Sequence, residues 1–404
     1  MKKCKEEFLN VITYQDYSNQ ETDMIDKRVF HTLAGEYIKN KIYFFSIDNN
    51  SICKIDMETG HIEVEYGDYE RPFCKEYLYT NSIVYKQIIY FIPNRSNDIL
   101  KYDTITNEKV RISHKGNSID YEPVIYANKL FLLPIGYSDE LICININNNS
   151  VSYLPSNYSY QLNQRFIGEH FIFGKALQVG NYVYRGSYLE PCIQKFNIKT
   201  KTFEYINIKN FNRSIRSISF DGNYFWILSN IDGLIVRWEE ITNKIVYSLD
   251  LSAETQKEGM LYSSCVYRSG IVYIPEKKGT CLLELCVKEN ILYVYDCKKI
   301  SGFALKRENM QMFADQIRVG NEGSLYFFPF FSNGVVIKRK DGTVYFYNTA
   351  TAKGLKIAND HIIQNESSST LNYFCQKLHT KFRRSESKEK IGQHILNDIC
   401  KSIK

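Results

Sequence analysis

The stretch ILKYDTITNEKVRIS, residues 99–113, contains the pattern that decides the fold. Its two ends, ILKYD and KVRIS, alternate apolar and polar side chains in the way that half-buried strands do. Between them, Asp103 is followed by Thr106 and Asn107. An Asp side chain accepts backbone N–H bonds within a turn, and Asn tolerates the left-handed conformation that closes a short loop. The stretch therefore predicts an antiparallel hairpin with a tight turn.

The same turn recurs along the chain with the form D-x-x-T-[GN]. Its members in the first five copies are Asp56, Thr59 and Gly60; Asp103, Thr106 and Asn107; Asn145, Asn148 and Asn149; Asn197, Thr200 and Lys201; and Glu239, Thr242 and Asn243. The sixth copy, at residues 286–290, is degenerate. The seventh is either delayed to residues 348–351 or replaced by the hairpin GVVIKRKDGTVYFYN, and an extended insertion in that unit reconciles the two. Taken singly, these carboxylates resemble metal ligands or catalytic acids, but their repetition favours a role in turns.

A second element keeps the same phase as the turn. It is an aromatic or β-branched strand centred on an apolar residue that we call the anchor, and the anchors are Tyr43, Tyr90, Phe131, Val183, Phe225, Val272 and Tyr326. Neighbouring anchors are 41 to 54 residues apart, and a proline stands three residues after four of them, at Pro93, Pro134, Pro275 and Pro329. Because proline lacks a backbone donor, we expect it to mark a strand end or a bulge. Each unit thus offers four strands: an inner strand a, the anchor strand b, and strands c and d around the turn.

Units of this length and number are typical of a radial array in which each unit packs against its neighbours. The hairpin resembles the YDxxT[GN] turn of kelch, quinoprotein-like and YVTN-type β-propellers, and the resemblance covers residues 27–358. It implies an all-β, seven-bladed β-propeller, with six or eight blades as alternatives. Residues 1–26 form an N-terminal segment, in which LNVITYQ (residues 9–15) is a candidate strand for closing the last blade.

Residues 359–404 form a different region. QNESSS, residues 364–369, is typical of a linker. Apolar residues at helical spacing follow it, namely Leu371, Phe374, Leu378 and Phe382, and then Ile391, Ile395, Ile399 and Ile403. We predict a basic, amphipathic helical tail that either packs on the propeller rim, or is exposed, or docks a partner protein. Contact with an anionic membrane surface is a further option.

The distribution of charge and the pattern of cysteines limit the classes of protein to which the sequence can belong. The net charge is +6, and residues 377–404 contribute +5 of it through eight Lys or Arg and three Asp or Glu, so the rest of the chain carries only +1. That balance argues against a nucleic-acid partner. No apolar run approaches the 18 or so residues of a membrane-spanning helix, and no apolar run follows the basic start MKKCKEEFLN. The 11 scattered cysteines predict reduced thiols, so we expect a cytoplasmic protein without a membrane span.

Candidate ligand-binding residues come from the start of the inner strands, because strand a of every blade faces the axis of a propeller. The polar residues nine to fifteen positions before each anchor include Asn81, and those that we take as candidates are Arg28, His31, Lys75, Glu122, His170, Arg213, Arg216, Lys257 and Glu258. A channel mouth with these side chains suits a polar or anionic ligand such as a peptide or a sugar. The alternative is a mouth that is polar only because it is wet. The sequence predicts no catalytic residue, no metal site and no cofactor.

Function is therefore predicted from the repeat and the tail. Neither a GxSxG nucleophile motif, a phosphate-binding loop nor an HExxH motif occurs in the sequence. We expect a non-catalytic cytoplasmic binding or scaffold protein, whose propeller face recognises a protein or glycan-like ligand while the tail docks a partner. The loops between strands b and c should gather on one face and carry recognition. The alternative is an enzyme, such as a lyase, hydrolase or epimerase acting on a sugar or modified peptide in the central channel; a surface or envelope-associated sensor is a third hypothesis.

Overall fold

The predicted four-strand unit is the building block of the molecule. The computed structural model describes residues 11–14, 34–46, 51–67, 78–94, 96–115, 120–136, 140–155, 173–255, 262–277, 280–300, 317–320, 323–328 and 334–348. Within these residues the chain forms seven sheets, and each contains four consecutive antiparallel strands in the order a, b, c, d. We number the sheets as blades 1 to 7 along the chain.

The first three blades follow the N-terminal strand β1 (Val11–Tyr14). Blade 1 comprises β2 (Gly35–Ile38), β3 (Lys41–Ser46), β4 (Ser51–Asp56) and β5 (Ile62–Gly67). Blade 2 comprises β6 (Tyr79–Tyr85), β7 (Ile88–Pro93), β8 (Asp98–Asp103) and β9 (Lys109–Ser113). Blade 3 comprises β10 (Tyr121–Tyr126), β11 (Lys129–Pro134), β12 (Glu140–Asn145) and β13 (Val151–Pro155).

The other four blades include two short helical segments. Blade 4 comprises β14 (Leu177–Val179), β15 (Tyr182–Gly186), β16 (Cys192–Asn197) and β17 (Thr202–Asn207). Blade 5 comprises β18 (Ile215–Phe220), β19 (Phe225–Ser229), β20 (Leu234–Glu239) and β21 (Lys244–Asp250), and α1 (Leu251–Thr255) follows it. Blade 6 comprises β22 (Val266–Arg268), β23 (Ile271–Pro275), β24 (Cys281–Cys286) and β25 (Ile291–Asp296), followed by a 3-10 turn (Cys297–Lys299). Blade 7 comprises β26 (Ile317–Val319), β27 (Leu325–Phe327), β28 (Gly334–Lys338) and β29 (Val344–Asn348).

The recurring acids shape turns, as the sequence predicts. Asp56 Oδ1 accepts the backbone N–H groups of Glu58 at 2.9 Å and Thr59 at 3.0 Å, and Gly60 N–H donates to the Asp56 carbonyl at 2.8 Å. Asp103 makes the equivalent bonds in blade 2. The residue that ends each turn has a positive φ at Gly60, Asn107, Asn149, Lys201, Asn243 and Asn290. No group of three or more His, Cys, Asp or Glu placed to hold a metal ion occurs in the part of the chain that the structure describes.

Apolar packing between blades closes the ring. The buried hydrophobic residues form seven clusters, and each cluster draws on two adjoining blades. The cluster that joins the two ends of the array packs Phe44 and Ile55 of blade 1 with Tyr326 and Val335 of blade 7. Seven sheets with seven interfaces make a closed seven-bladed β-propeller, which confirms the predicted fold class and superfamily and excludes six or eight blades.

The structure corrects the anchor position in three blades. In blades 1 to 6, the strand-b residue that pairs with the position two before the first residue of the c–d turn is aromatic, and these residues are Tyr43, Tyr90, Phe131, Tyr184, Trp226 and Tyr273. The sequence-based anchors Val183, Phe225 and Val272 are therefore one residue too early. The strand-end role of proline is confirmed where it is described, since Pro93, Pro134 and Pro275 are each the last residue of strand b. Pro329 lies outside the described residues.

Blade 7 differs from the expectation of an extended insertion. Its c–d hairpin is the GVVIKRKDGTVYFYN stretch itself, because β28 pairs with β29 directly. The turn uses Asp341, whose Oδ1 accepts the Thr343 N–H at 2.9 Å, and Gly342, whose φ is 87°. β1 lies parallel to β29 as a fifth strand of this sheet. The delayed turn proposed at residues 348–351 is thus not needed to complete the blade.

The predicted tail, residues 359–404, lies outside the described residues. Among the helices that are described, none has the length and apolar character needed to cross a membrane.

Candidate functional site at the channel mouth

The inner strands bring together some of the predicted site residues. Glu122 lies in β10 and Arg216 lies in β18, both on inner strands, and both are buried. Arg213 lies just before β18. The other predicted residues lie outside the described part of the chain, and they are Arg28, His31, Lys75, His170, Lys257 and Glu258. Glu122 and Arg216 are therefore the predicted residues that the described inner strands contribute to the site.

A polar network that we call the axial network links the inner strands on one side of the channel. It consists of Glu36, Asn81, Ser82, Glu122 and Arg318. Arg318 Nη2 donates to Asn81 Oδ1 at 2.9 Å and to the Ser82 carbonyl at 2.6 Å, and lies 3.5 Å from Glu36 Oε1. Since Arg318 belongs to blade 7 and its acceptors to blade 2, this side chain reaches past blade 1. Its Nε–H is buried and has no hydrogen-bond partner.

The network continues to blades 3 and 4 through Glu122. Asn81 Nδ2 donates to Glu122 Oε1 at 3.0 Å, and the Ala176 N–H donates to Glu122 Oε2 at 3.4 Å. Ser82 Oγ donates to Glu36 Oε1 at 2.8 Å. Five consecutive blades of the ring, 7, 1, 2, 3 and 4, are thus connected by side chains at the axis.

Burial sets the protonation behaviour of Glu122. Loss of solvent raises the pKa of this carboxyl above its usual value, and the positive charges of Lys175, Arg318 and Arg185 oppose the rise without cancelling it. A carboxyl with a raised pKa keeps its proton to higher pH, so it can donate a hydrogen bond or a proton. Glu122 is therefore the described inner-strand group best suited to acid–base chemistry.

Arg216 makes a second set of contacts, which connects blades 4, 5 and 6. It is the extra residue where the pairing of β18 with β19 shifts between Ile215 and Ser217. Its Nε donates to the Ser263 carbonyl at 3.0 Å, and its guanidinium lies 4.8 Å from the centre of the Tyr188 ring. A β-bulge redirects a side chain in this way at many functional sites. The bulge here turns a buried arginine onto the b–c loop of blade 4.

The close packing of the chain against Arg216 and Tyr188 requires a glycine at position 174. A Cβ on Gly174 would lie 2.8 Å from the Arg216 carbonyl oxygen and 2.9 Å from Tyr188 Cε1. Side-chain atoms are not found at such distances, so any larger residue at Gly174 would displace the Arg216–Tyr188 stack.

Arg213 lies in the connection before β18 rather than on an inner strand. Its guanidinium pairs with Asp232 in the b–c loop of blade 5, and its Nη1 donates to Asn212 Oδ1 at 3.1 Å. Its side chain is 41% exposed. Burial acts to raise the pKa of Asp232, but hydrogen bonds from Arg213 and Ser229 outweigh it and lower that pKa, so Asp232 carries a charge. The Arg213–Asp232 pair therefore fixes a loop at the mouth.

Sequence reasoning missed Glu36, Ser82 and Arg318. These residues lie seven or eight positions before their anchors, just outside the nine-to-fifteen window that was searched. The pairing of strand a with strand b is the signal that finds them, because Glu36 pairs with Tyr43 and Arg318 with Tyr326. A window counted back from the a–b turn would have included all three.

Comparisons with known proteins establish the fold of the chain, but they show neither a family nor a function. No protein-family model matches the chain, and no curated protein matches it either. Among solved structures, a streptogramin B lyase is similar at 13% sequence identity with a TM-score of 0.56, over 75% of this chain and 91% of that one. Virginiamycin B lyase from Staphylococcus aureus is similar at 11% identity with a TM-score of 0.56, over 76% of this chain and 93% of that one. The WD40 repeats of RRP9 are similar at 10% identity with a TM-score of 0.52, over 77% and 87%.

Identities this low establish shared architecture only. The similar structures include lyases and a WD40 repeat protein, and propellers with different functions share one arrangement of blades. The function of this chain must therefore be argued from its own side chains.

Proposed function

We propose that the protein is a non-catalytic binding scaffold whose propeller face and channel mouth recognise a protein or glycan-like ligand. The observation that supports this most is the engagement of the inner-strand charges with neighbouring blades. Arg318 bonds to blade 2, Glu122 accepts bonds from blades 2 and 4, and Arg216 bonds to blade 6. Groups held in this way keep the inner strands around the mouth rigid, and rigidity lowers the entropy lost on binding.

The basic tail, residues 359–404, completes the proposal as a docking element for a second partner. Its support is the helical spacing of two apolar faces and the excess of five positive charges within residues 377–404. A face and a tail that bind different proteins would make the chain a connector. We place this function in the cytoplasm, and the free thiols of the described cysteines support a reducing compartment. Burial raises the pKa of Cys192 to about 11 and that of Cys265 to about 12, which keeps these thiols protonated.

Affinity capture with three forms of the chain tests the proposal. The full chain, a form lacking residues 364–404, and the full chain with Arg216→Met would each be used to capture proteins from a lysate of the source cells. We expect truncation to remove one set of proteins and Arg216→Met to remove another. Thermal unfolding of each form controls for loss of fold. Identical sets of captured proteins from all three forms would show that neither the tail nor the mouth recognises a partner.

Glu122 supports a second candidate function, an enzyme such as a lyase, hydrolase or epimerase acting on a sugar or modified peptide in the channel. A buried carboxyl with a raised pKa can serve as a general acid or base. The test is turnover of a panel of acidic oligosaccharides and cyclic peptides by the full chain and by Glu122→Gln. Activity in the full chain that Glu122→Gln abolishes would favour the enzyme, whereas turnover unaffected by Glu122→Gln, or no turnover at all, would remove this candidate.

A further inference from the structure

The b–c loop of blade 5, residues 230–233, has a fixed conformation. Ser229 Oγ accepts the backbone N–H groups of Ile231 and Asp232, each at 3.3 Å. Asp232 Oδ1 in turn accepts the Leu234 N–H at 3.3 Å. These bonds hold the loop before any ligand arrives, so the side chains at its tip have defined positions.

Ile231 stands at the tip of this loop with 61% of its surface exposed. Exposure alone is weak evidence for binding, since single exposed apolar residues are common. Blade 5 itself shows this, because Ile241 in its c–d turn, at the other end of the blade, is 96% exposed. The two isoleucines differ in the polar groups that surround them.

Beside Ile241 the polar atoms of Asn243 are satisfied. Asn243 Oδ1 accepts the Trp238 Nε1–H at 2.9 Å and the Lys209 N–H at 3.1 Å, while its Nδ2 donates to the Asn207 carbonyl at 3.1 Å. At the Ile241 turn, both side-chain polar atoms of Asn243 are therefore already bonded within the protein.

Beside Ile231 two polar atoms have no partner. Asn230 Nδ2 donates to the Tyr188 carbonyl at 3.2 Å, but Asn230 Oδ1 is buried without a donor. The Asn230 N–H donates to the Ser214 carbonyl at 2.9 Å, and the Ser214 hydroxyl is also buried without a partner. A buried polar atom left unpaired destabilises the protein, and a ligand donor that reaches it recovers part of that loss.

We propose that the 230–233 loop docks a peptide segment of a protein partner. The segment would place a backbone N–H against Asn230 Oδ1 and an apolar side chain against Ile231, with the Asn230 side chain turning to uncover Oδ1, which is buried in the free protein, while the loop backbone stays in place. This inference rests on the proposed binding function, and it specifies a peptide as the class of ligand that the propeller face binds.

The local chemistry favours a peptide over a glycan. Sugar rings stack on exposed aromatic faces, whereas the Tyr188 ring beside this loop already carries the Arg216 guanidinium at 4.8 Å. The apolar group on offer is the aliphatic Ile231. The nearby charges, Arg213 and Asp232, neutralise each other. An apolar, neutral segment with a free N–H fits these features.

The experiment pans the full chain against a phage-displayed library of random twelve-residue peptides and, in parallel, against a glycan array. Synthetic versions of the enriched peptides are then measured by fluorescence polarisation. We expect Ile231→Asp and Asn230→Leu to weaken binding at least tenfold, because each removes one of the two contacts. Ile241→Asp is the matched control and should bind as the unsubstituted chain does. Circular dichroism melting confirms that each variant is folded.

The outcomes separate this inference from the function on which it rests. Peptides that bind Ile231→Asp and Asn230→Leu as tightly as the unsubstituted chain would overturn the loop as the docking point while leaving a binding propeller in place. Glycans that bind in an Arg216-dependent way, with no peptide enriched, would do the same. If neither probe binds and the captured proteins are also unchanged by Arg216→Met, both the inference and the proposed face fail.

Discussion

Blade 7 packs an apolar cluster against each of its neighbours, but the two interfaces differ in the contacts that they add to it. Towards blade 6 it also buries a charge pair, Lys338 with Glu284, beneath the rings of Tyr295 at 4.7 Å and Tyr273 at 5.8 Å. Towards blade 1 it adds a stack of Tyr37 on Tyr326 with ring centres 5.1 Å apart. Blades 6 and 7 follow each other in the chain, whereas blades 7 and 1 come from its two ends.

The difference separates what the interfaces share from what one of them adds. An apolar cluster gains free energy roughly in proportion to the area buried and needs little geometric accuracy, so it can serve both interfaces, including the junction between distant parts of the chain. A buried ion pair gains little net free energy but is costly to break, so it favours one alignment of neighbouring blades. Four predictions separate these roles.

The largest effect is expected from removing one half of the buried pair. Lys338→Ala leaves Glu284 charged and only 4% exposed, so we expect the free energy of unfolding to fall by about 3–5 kcal/mol. The double variant Lys338→Met with Glu284→Leu should recover most of this loss, because no isolated charge remains. Urea unfolding measures both, and a double variant as unstable as Lys338→Ala would show that the pair itself holds the interface.

At the apolar junction a single truncation should cost somewhat less. Ile55 is fully buried in the cluster between blades 7 and 1, and Ile55→Ala should lower the free energy of unfolding by about 2–4 kcal/mol through lost burial and a cavity. Ile105→Ala, at a 55% exposed position, is the matched control and should change stability little. Equal effects at the two positions, again in urea unfolding, would contradict the assignment of this cluster as the closure of the ring.

Sequence alone predicted local features well because their causes are local. The Asp56 and Asp103 turns form from bonds within four residues, and the strands on either side alternate in polarity. The one-residue error at Val183 and Val272 arose because an apolar side chain does not reveal its cross-strand partner. The Arg318–Asn81 bond could not be predicted, because its partners are 237 residues apart in the sequence and blade 1 lies between their blades in the ring. Candidate sites at the axis depend on such distant contacts.

A smaller effect is expected from one polar contact at the same apolar junction. Tyr347 is 1% exposed, and its hydroxyl donates to the Met57 carbonyl at 2.8 Å, which links blade 7 to blade 1. Tyr347→Phe keeps the ring and removes this bond, so we expect a loss of about 0.5–1.5 kcal/mol. Thermal unfolding at constant pH measures it. A loss as large as that of Ile55→Ala would mean that hydrogen bonding, and not apolar packing, dominates the closure.

The last prediction is a dependence on pH, and it concerns Glu122, which belongs to the same axial network as Arg318 of blade 7. Glu122 has a pKa raised by burial above the value of 4.5 that it has when exposed, so the folded state disfavours its charged form. The unfolded chain releases this proton first. The stability of the protein is therefore reduced as pH rises from 4.5 through the folded-state pKa. Glu122→Gln cannot titrate, and its free energy of unfolding relative to the unsubstituted chain should increase over that range.

Glu63→Gln provides the control of opposite sign for this prediction. The hydrogen bond from Lys54 lowers the pKa of Glu63, so its contribution is present above pH 4.5 and is lost as pH falls through the lowered value. Urea unfolding between about pH 3 and pH 8, which spans the range in which carboxylates titrate, measures how the free energy of unfolding of each variant depends on pH. Parallel profiles for Glu122→Gln and the unsubstituted chain would show that Glu122 titrates normally. Glu122 would then have to be exposed to solvent, and the buried link that it makes from Asn81 of blade 2 to Ala176 of blade 4 would be wrong.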